Sequence, residues 1–244
     1  MPKFFVKAEN ISDTAITLTG DDAYHIARAL RMAVGDEIHV SDGEGREFAC
    51  RLTRIRDEEC TADIVEEHAS HAESPVDITL FMAMPKGDKL EVVVQKAVEL
   101  GAIRVVPFES ERCIKRPAPD KAAKLVDRLS RIAREAAKQC GRSRLPEVGS
   151  LISLGEVCAR LAEFDLPLFC YENEDGRSLK DVLDEAKDVH TVAVIVGSEG
   201  GFSPEEAERI IAAGGISVGL GPRILRCETA PDYALAALSY HFEL

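Results

Sequence analysis

The sequence predicts an α/β protein in two parts: a small β-rich unit, then a larger and mostly parallel sheet covered by helices. Three observations point there. Short strand patterns separated by turn signals occupy residues 1–70. A small, polar stretch at 68–76, His-Ala-Ser-His-Ala-Glu-Ser-Pro-Val, interrupts them. Beyond it, apolar runs of strand length alternate with segments of helical period as far as the C-terminus, the pattern of strands joined by helical crossovers. The expected division is 1–70, a linker at 71–76, and 77–244.

In the first part, Ile16-Thr17-Leu18 reads as a strand, and 21–31 as a helix with an acidic first turn (Asp21, Asp22) and a basic last one (Arg28, Arg31). Strands follow at 37–40, 46–55 and 61–65, with Asp42-Gly43 marking a hairpin. In the second part, 78–83 is a strand. Leu90, Val93, Val94, Ala97 and Val98 then recur at helical spacing, with Gly101 as a stop. Further strands are expected at 104–108, 166–171, 191–196 and 216–219, and helices at 120–139, 178–186, 204–213 and from about 231.

The composition, 45% hydrophobic and 30% charged over 244 residues, suits a chain that buries a core. No apolar run approaches the ~20 residues of a membrane span. The residues after Met1 lack a secretory apolar region, so a cytoplasmic protein is expected. Seven cysteines without a C-x-x-C pair fit reduced thiols, and the six histidines show no metal-ligand spacing, so no metal is expected. Net charge is −13, yet it is unevenly spread. Residues 1–75 carry 8 Lys/Arg against 16 Asp/Glu, while 111–145 carry 11 against 4. A basic block inside an acidic chain can meet phosphates, because salt screens charges beyond ~10 Å; a solvated helix face is the plainer reading.

Two glycine loops follow strands near the C-terminus. Gly197-Ser198-Glu199-Gly200-Gly201 comes directly after a buried-type strand, where open α/β sheets bind ligands. The next helix opens Ser203-Pro204-Glu205-Glu206, with Ser203 as N-cap, Pro204 at N1 and Glu206 closing a capping box. A helix start already supplied with carboxylates suits no phosphate, and the loop lacks a P-loop lysine. A ligand neutral or cationic at its reactive centre fits better. The second loop is Gly219-Leu220-Gly221-Pro222-Arg223-Ile224-Leu225-Arg226-Cys227-Glu228-Thr229-Ala230. It begins like a dinucleotide fingerprint, but Ile224 replaces the third glycine and Pro222 breaks the turn.

Together, the stretch from Ile195 to Ser203 and the stretch from Leu220 to Ala230 resemble the signature of the ribosomal RNA small subunit methyltransferase E family. Met84-Pro85-Lys86-Gly87-Asp88-Lys89, Gln95 to Gly101, Glu111-Arg112 and Gln139-Cys140-Gly141-Arg142 with Pro146 are also similar to that family, and Tyr24 to Asp36 resembles its PUA-like barrel. Ser198 stands where the family usually has proline and Cys227 where it has threonine; Pro231-Asp232-Tyr233 interrupts the small-residue start of the last helix.

The resemblance implies a C-terminal SPOUT methyltransferase domain with a trefoil knot behind a PUA-like barrel. It implies an S-adenosylmethionine-dependent enzyme that methylates N3 of a uridine in 16S rRNA, working as a homodimer. On that basis Val196, Gly197, Glu199, Gly200, Leu220, Gly221, Ile224, Leu225, Thr229 and Ala230 would hold the cofactor. Arg226 and Glu228 would be catalytic, Glu228 by orienting Arg226 or taking the proton. Arg112, Lys124, Arg128, Arg131, Arg134, Lys138 and Arg142 would meet rRNA. Ala234, Leu235, Ala237 and Leu238 give the last helix an apolar face for the dimer. A non-catalytic RNA-binding factor and a Rossmann-type nucleotide-dependent enzyme are the other readings.

Overall fold

The computed structural model describes residues 2–114, 116–174 and 176–244. The chain divides into two compact units, one of residues up to 73 with 137–145, the other of 74–136 with 146–244.

The first unit contains β1 (Lys3–Phe5), β2 (Ala15–Thr19), α1 (Asp21–Tyr24), β3 (Glu37–Ser41), β4 (Arg46–Ile55) and β5 (Glu59–Ala69). The sheet runs β1-β3-β4-β5-β2. Only the β1–β3 pair is parallel among the pairs described. Alternate residues turn inward, as the period of two requires: Ile16 and Leu18, Ile38 and Val40, and Phe48, Cys50 and Leu52 share one core with Phe4 and Ile26. Register shifts in β4 after Ala49 and Leu52 bend the long hairpin. The helix expected over 21–31 is shorter. After α1 the turns widen, so that the Leu30 amide reaches back to the His25 carbonyl, and Arg31 at φ 52° ends the run. β1 escapes a reading of the sequence, because three residues are too few to display a period.

Residues 137–145 close this unit. The Lys3 ammonium donates to the Gly141 carbonyl at 2.7 Å, and the Ser41 hydroxyl donates to the Ser143 carbonyl at 2.5 Å. Arg142 is 2% exposed and pairs with Glu73 at 2.8 Å. The amides of Ser143 and Arg144 donate to the other oxygen of Glu73. Burial would raise the Glu73 carboxyl, but Arg142 and the two amides outweigh it and hold it below the usual carboxylate range. Two residues expected to meet rRNA are therefore structural. Arg142 is a buried counter-charge, and Lys138 is mostly covered, 2.8 Å from Asp22 and 5.9 Å above the Phe4 ring. Charge patterning along a helix cannot distinguish a solvated cation from one turned into a neighbour.

The second unit contains β6 (Asp77–Ala83), α2 (Lys89–Glu99), β7 (Arg104–Glu109), α3 (Pro119–Cys140), β8 (Glu147–Val148), β9 (Ile152–Ser153), α4 (Leu154–Arg160), β10 (Leu166–Cys170), α5 (Leu179–Glu185), β11 (Thr191–Val196), α6 (Pro204–Ala212), β12 (Ile216–Val218) and α7 (Thr229–Glu243). The last turn of α3 belongs to the first unit. The strand order is β12-β10-β11-β6-β7-β8, with β9 also on β7, and every described pair is parallel. β6 and β11 lie in the middle, and their near-continuous apolar runs are buried throughout, as a sheet covered on both faces demands. α4, β8 and β9 add to the elements the sequence predicts; the two strands are two residues each. Among the described residues, no helix is long and apolar enough to cross a membrane.

Three helices of this unit begin with the same device. Ser153, Ser178 and Ser203 accept the amide three residues on, and Glu156, Asp181 and Glu206 return the bond. Each satisfies two amides that the helix itself leaves bare.

Candidate functional site

β10, β11 and β12 are neighbours and parallel, so the loops after them emerge side by side at one edge of the sheet. Between these loops lies a cavity of about 680 Å³, within the ~300–1,000 Å³ typical of small-molecule sites. Residues after β10 (Tyr171, Glu172, Glu174) form one wall, the first glycine loop a second, and residues 219–227 a third.

The first loop is locked by close packing. Gly201 has φ +62°, and a methyl group there would overlap the Glu172 carboxylate. At Gly197 an added carbon would lie 2.9 Å from the Phe202 ring. Arg112 donates to the Gly200 carbonyl at 2.9 Å, and the Lys86 amide donates to Glu199 at 3.1 Å. The Ser203 hydroxyl donates to Glu111 at 2.8 Å while the Glu111 amide donates to Glu206 at 2.6 Å, so the start of α6 is saturated with carboxylates.

The second loop is open. Arg223, Ile224 and Arg226 are exposed, and Ile224, an apolar side chain on the cavity rim, is 90% exposed. The Arg226 guanidinium makes no hydrogen bond or ion pair among the described residues. Its carbonyl accepts the amides of Thr229 and Ala230, which starts α7.

Lys89, from the first turn of α2, ties the two loops together. Its ammonium is 3.0 Å from Glu199 and 3.0 Å from Glu228, and 3.8 Å from the Cys227 sulfur. The two carboxylates hold the ammonium above its usual range. The Glu228 carboxyl is drawn down to about 2, first by its own backbone amide and, against some burial, by the Cys227 thiol and Lys89. Burial pushes the Cys227 thiol up to about 12, with Glu228 accepting its proton and reinforcing the shift. Glu228 is thus a firmly ionised anchor. It is a poor match for taking a proton near neutral pH, and Arg226 makes no bond to it; neither role expected of it from the sequence fits this geometry.

Nine of the ten residues expected to hold a cofactor line the cavity: Val196, Gly197, Glu199, Gly200, Leu220, Gly221, Ile224, Leu225 and Ala230. Thr229 does not; it is the exposed first residue of α7. Sequence reasoning missed Lys89, Tyr171 and Glu172. The only signal for Lys89 is the Met84-to-Lys89 motif, and nothing near Tyr171 and Glu172 resembles a loop motif. Of the basic residues, Lys124 and Arg131 are exposed on α3 and Arg112 lies beside the first loop. Arg128 is paired with Glu91 and Asp88 on the α2 side, and Arg134 is half-buried.

Pro231 causes no break, because at the third position of α7 its missing amide hydrogen would have had no acceptor within the helix. Asp232 beside it is half-buried with one oxygen lacking a hydrogen-bond partner, and burial pushes its carboxyl up. Ala234, Leu235 and Leu238 are fully buried inside the unit and Ala237 is half-buried, so they form no outer face; the exposed large apolar residues of α7 are Tyr233 and Tyr240, seven residues apart and on one side.

A parallel sheet with a cavity between two glycine loops, in a chain that also carries a small, mostly antiparallel five-stranded sheet, points to an enzyme that holds a small ligand at the carboxyl ends of its strands. Family profiles agree: an RNA methyltransferase domain matches residues 72–239, and an RNA methyltransferase PUA domain matches 18–65. The ribosomal RNA small subunit methyltransferase E of Bacillus subtilis (strain 168) is 33% identical over 100% of this chain and 98% of its own length. That of Synechocystis is 32% identical over 97% of this chain and 77% of its own. The crystal structure of a ribosomal RNA small subunit methyltransferase E from Neisseria gonorrhoeae bound to S-adenosyl methionine superposes with a TM-score of 0.88, at 33% identity, over 98% of this chain and 97% of that one. The chain belongs to the ribosomal RNA small subunit methyltransferase E family.

Proposed function

We propose that the chain is an S-adenosylmethionine-dependent methyltransferase acting on N3 of a uridine in 16S rRNA of the small ribosomal subunit. The carrying observation is the cavity beside β10, β11 and β12, with a locked wall on one side and the unpaired Arg226 on the other. The family membership supports the reaction, and the residues present fit the cofactor. Ser198 lines the cavity with a buried hydroxyl that has no hydrogen-bond partner, a donor awaiting a ligand. Glu172, Glu174 and Glu199 give the walls carboxylates suited to a sulfonium and an ammonium. The saturated start of α6 offers no seat for a phosphate.

When bound, the cofactor supplies an electrophilic methyl group. Gly197, Gly200, Leu220, Gly221 and Leu225 would hold it largely through backbone groups, and Glu199, fixed by Lys89 and the Lys86 amide, would face its positive charge. N3 of uracil becomes nucleophilic as its proton passes to solvent water at the open second loop, and the negative charge spreads onto the two carbonyl oxygens. Arg226 would meet that charge with its fixed fork of donors. Glu228 acts through Lys89, as a positioning residue. Arg112, Lys124 and Arg131 are exposed cations that would meet rRNA phosphates, and the PUA-like unit would dock the RNA by shape and backbone.

The trefoil knot and SPOUT class implied by the resemblance, a homodimer whose contacts use Tyr233 and Tyr240, and a cytoplasmic location with the ribosome belong to the same proposal. The test is calorimetry with S-adenosylmethionine followed by methylation of small subunits that lack the modification. One cofactor per chain and one N3-methyluridine per 16S rRNA are expected. RNA binding without cofactor binding would favour the non-catalytic RNA-binding reading.

A further inference from the structure

We propose that His39, Glu47 and His68, on three adjacent strands of the first unit, form a binding site for a divalent zinc-class cation. Strand register creates the cluster. β4 lies between β3 and β5, and Glu47 pairs directly with His68 on one side and Ser41 on the other. His39 is two residues before Ser41, so the period of two puts it on the same face. The three side chains therefore converge, although nothing in their sequence spacing resembles a metal motif.

The atoms are placed as ligands. Glu47 Oε1 is 3.3 Å from His39 Nδ1 and 3.9 Å from His68 Nε2, and all three ligand atoms lie within 4.8 Å of one another. In a tetrahedral zinc site with bonds of ~2.0–2.2 Å, ligand atoms are ~3.3–3.6 Å apart. Small side-chain movements suffice to reach that spacing.

His39 Nδ1 is buried and makes no hydrogen bond among the described residues, although Glu47 Oε1 lies 3.3 Å away. Such an orphan is costly if nothing meets it. Lys3 takes the other oxygen of Glu47 at 2.9 Å and is itself anchored on the Gly141 carbonyl. Lys3 thereby fixes which oxygen faces the histidines and makes Glu47 a one-oxygen ligand. The imidazoles keep 25% and 34% of their surface exposed, so water has access to complete the coordination.

Two imidazoles and one carboxylate oxygen select zinc and its first-row neighbours over magnesium or calcium, which require all-oxygen shells. The nearby ammonium of Lys3 opposes the cation, so the site is of modest affinity. An ion there would join β3, β4 and β5, bracing the barrel without taking part in methyl transfer.

The test uses the whole protein and Co2+ as a spectroscopic stand-in for Zn2+. One Co2+ per chain is expected, without a thiolate-to-cobalt charge-transfer band, and displaced by Zn2+. Zn2+ should also raise the melting temperature. His68→Ala, at the more exposed position, and His39→Gln should each weaken uptake by more than the ~10–100-fold that loss of an outer-shell group costs, with circular dichroism confirming the fold. Absence of uptake by the wild type would overturn the site. So would equal uptake by both folded variants, or a thiolate band assigning the metal to cysteine.

Discussion

The two glycine loops look alike in sequence and differ in every physical respect. The first, 197–201, is clamped: Gly197 against Phe202, Gly201 against Glu172, and Glu199 against Lys86 and Lys89. The second, 219–228, is pinned only at its ends, and between them it presents Arg223, Ile224 and Arg226 to solvent. A clamped loop has already lost its conformational entropy and can hold a small ligand in one geometry. An open loop with unpaired donors is suited to a partner that arrives later. On the proposed function, the first loop would hold the cofactor with Leu220, Gly221 and Leu225 of the second, while the exposed Arg226 of the second would meet the RNA base, and Lys89 is the joint between the two.

That assignment can be broken most sharply at Arg226. Arg226→Ala should lower single-turnover methylation by ~10²–10³ while calorimetry shows cofactor binding unchanged, because a donor aimed at developing charge acts mainly in the transition state. Lysine should rescue only part of the rate, lacking the fork. If cofactor binding collapses as well, the two loops do not divide their labour.

Gly201→Ala should show the opposite split. The added methyl overlaps Glu172 in a left-handed backbone, and overpacking and strain each cost ~1–3 kcal/mol, enough to weaken cofactor affinity by ~10²-fold. Tight binding by this variant would mean that the first loop is not clamped.

Lys89→Met probes the joint. Glu228 now titrates near 2, below the ordinary ~4.3. Its ionised form is therefore favoured by folding, an advantage complete above the ordinary carboxylate range and lost as the pH falls toward 2. Without Lys89, two carboxylates face each other and the Glu228 value should rise. Cofactor affinity should fall on the order of tenfold, one pKa unit's worth of interaction, and its acid-side loss should begin at a higher pH than in the wild type. Identical pH profiles would remove Lys89 from the site.

The smallest effects are expected on α3. If Lys124 and Arg131 meet phosphates as proposed, reversing the charge of one, by Lys124→Glu or Arg131→Glu, should flatten the dependence of log K on log salt for RNA by ~0.7–0.9. Arg142→Ala should leave that slope alone and lower the melting temperature, since its partner Glu73 would remain buried without a counter-charge. A flattened slope for Arg142→Ala would return it to the RNA surface.

The glycine loops were legible because close approach and a left-handed backbone leave few residue types possible, and those types recur at readable spacing. The central strands were legible because a sheet covered on both faces needs unbroken apolar runs. Other features depend on relations between distant residues. Lys89 gains its meaning only when α2 sets it between Glu199 and Glu228. Arg142 and Glu73 read as a basic helix end and a linker acid, yet each is the other's reason for being buried. His39, Glu47 and His68 come together through strand register, which the sequence does not print. α4 starts with a capping box that could be read in the sequence, but its seven residues are too short to show an amphipathic period.

The return of residues 137–145 to the first unit also bears on how the chain is made. Lys3, Ser41 and Glu73 all find buried acceptors or donors in that segment. Ser41 waits for a residue 102 positions later. A nascent chain emerging N-terminus first therefore cannot finish this unit when the unit's own strands have left the ribosome. The order of synthesis and the order of completion differ, with much of the second unit's first half translated before the first unit is complete. A fragment ending at residue 73 would lack that segment: Lys3 would keep Glu47 but lose the Gly141 carbonyl, and Glu73 would lose Arg142 and the amides of Ser143 and Arg144.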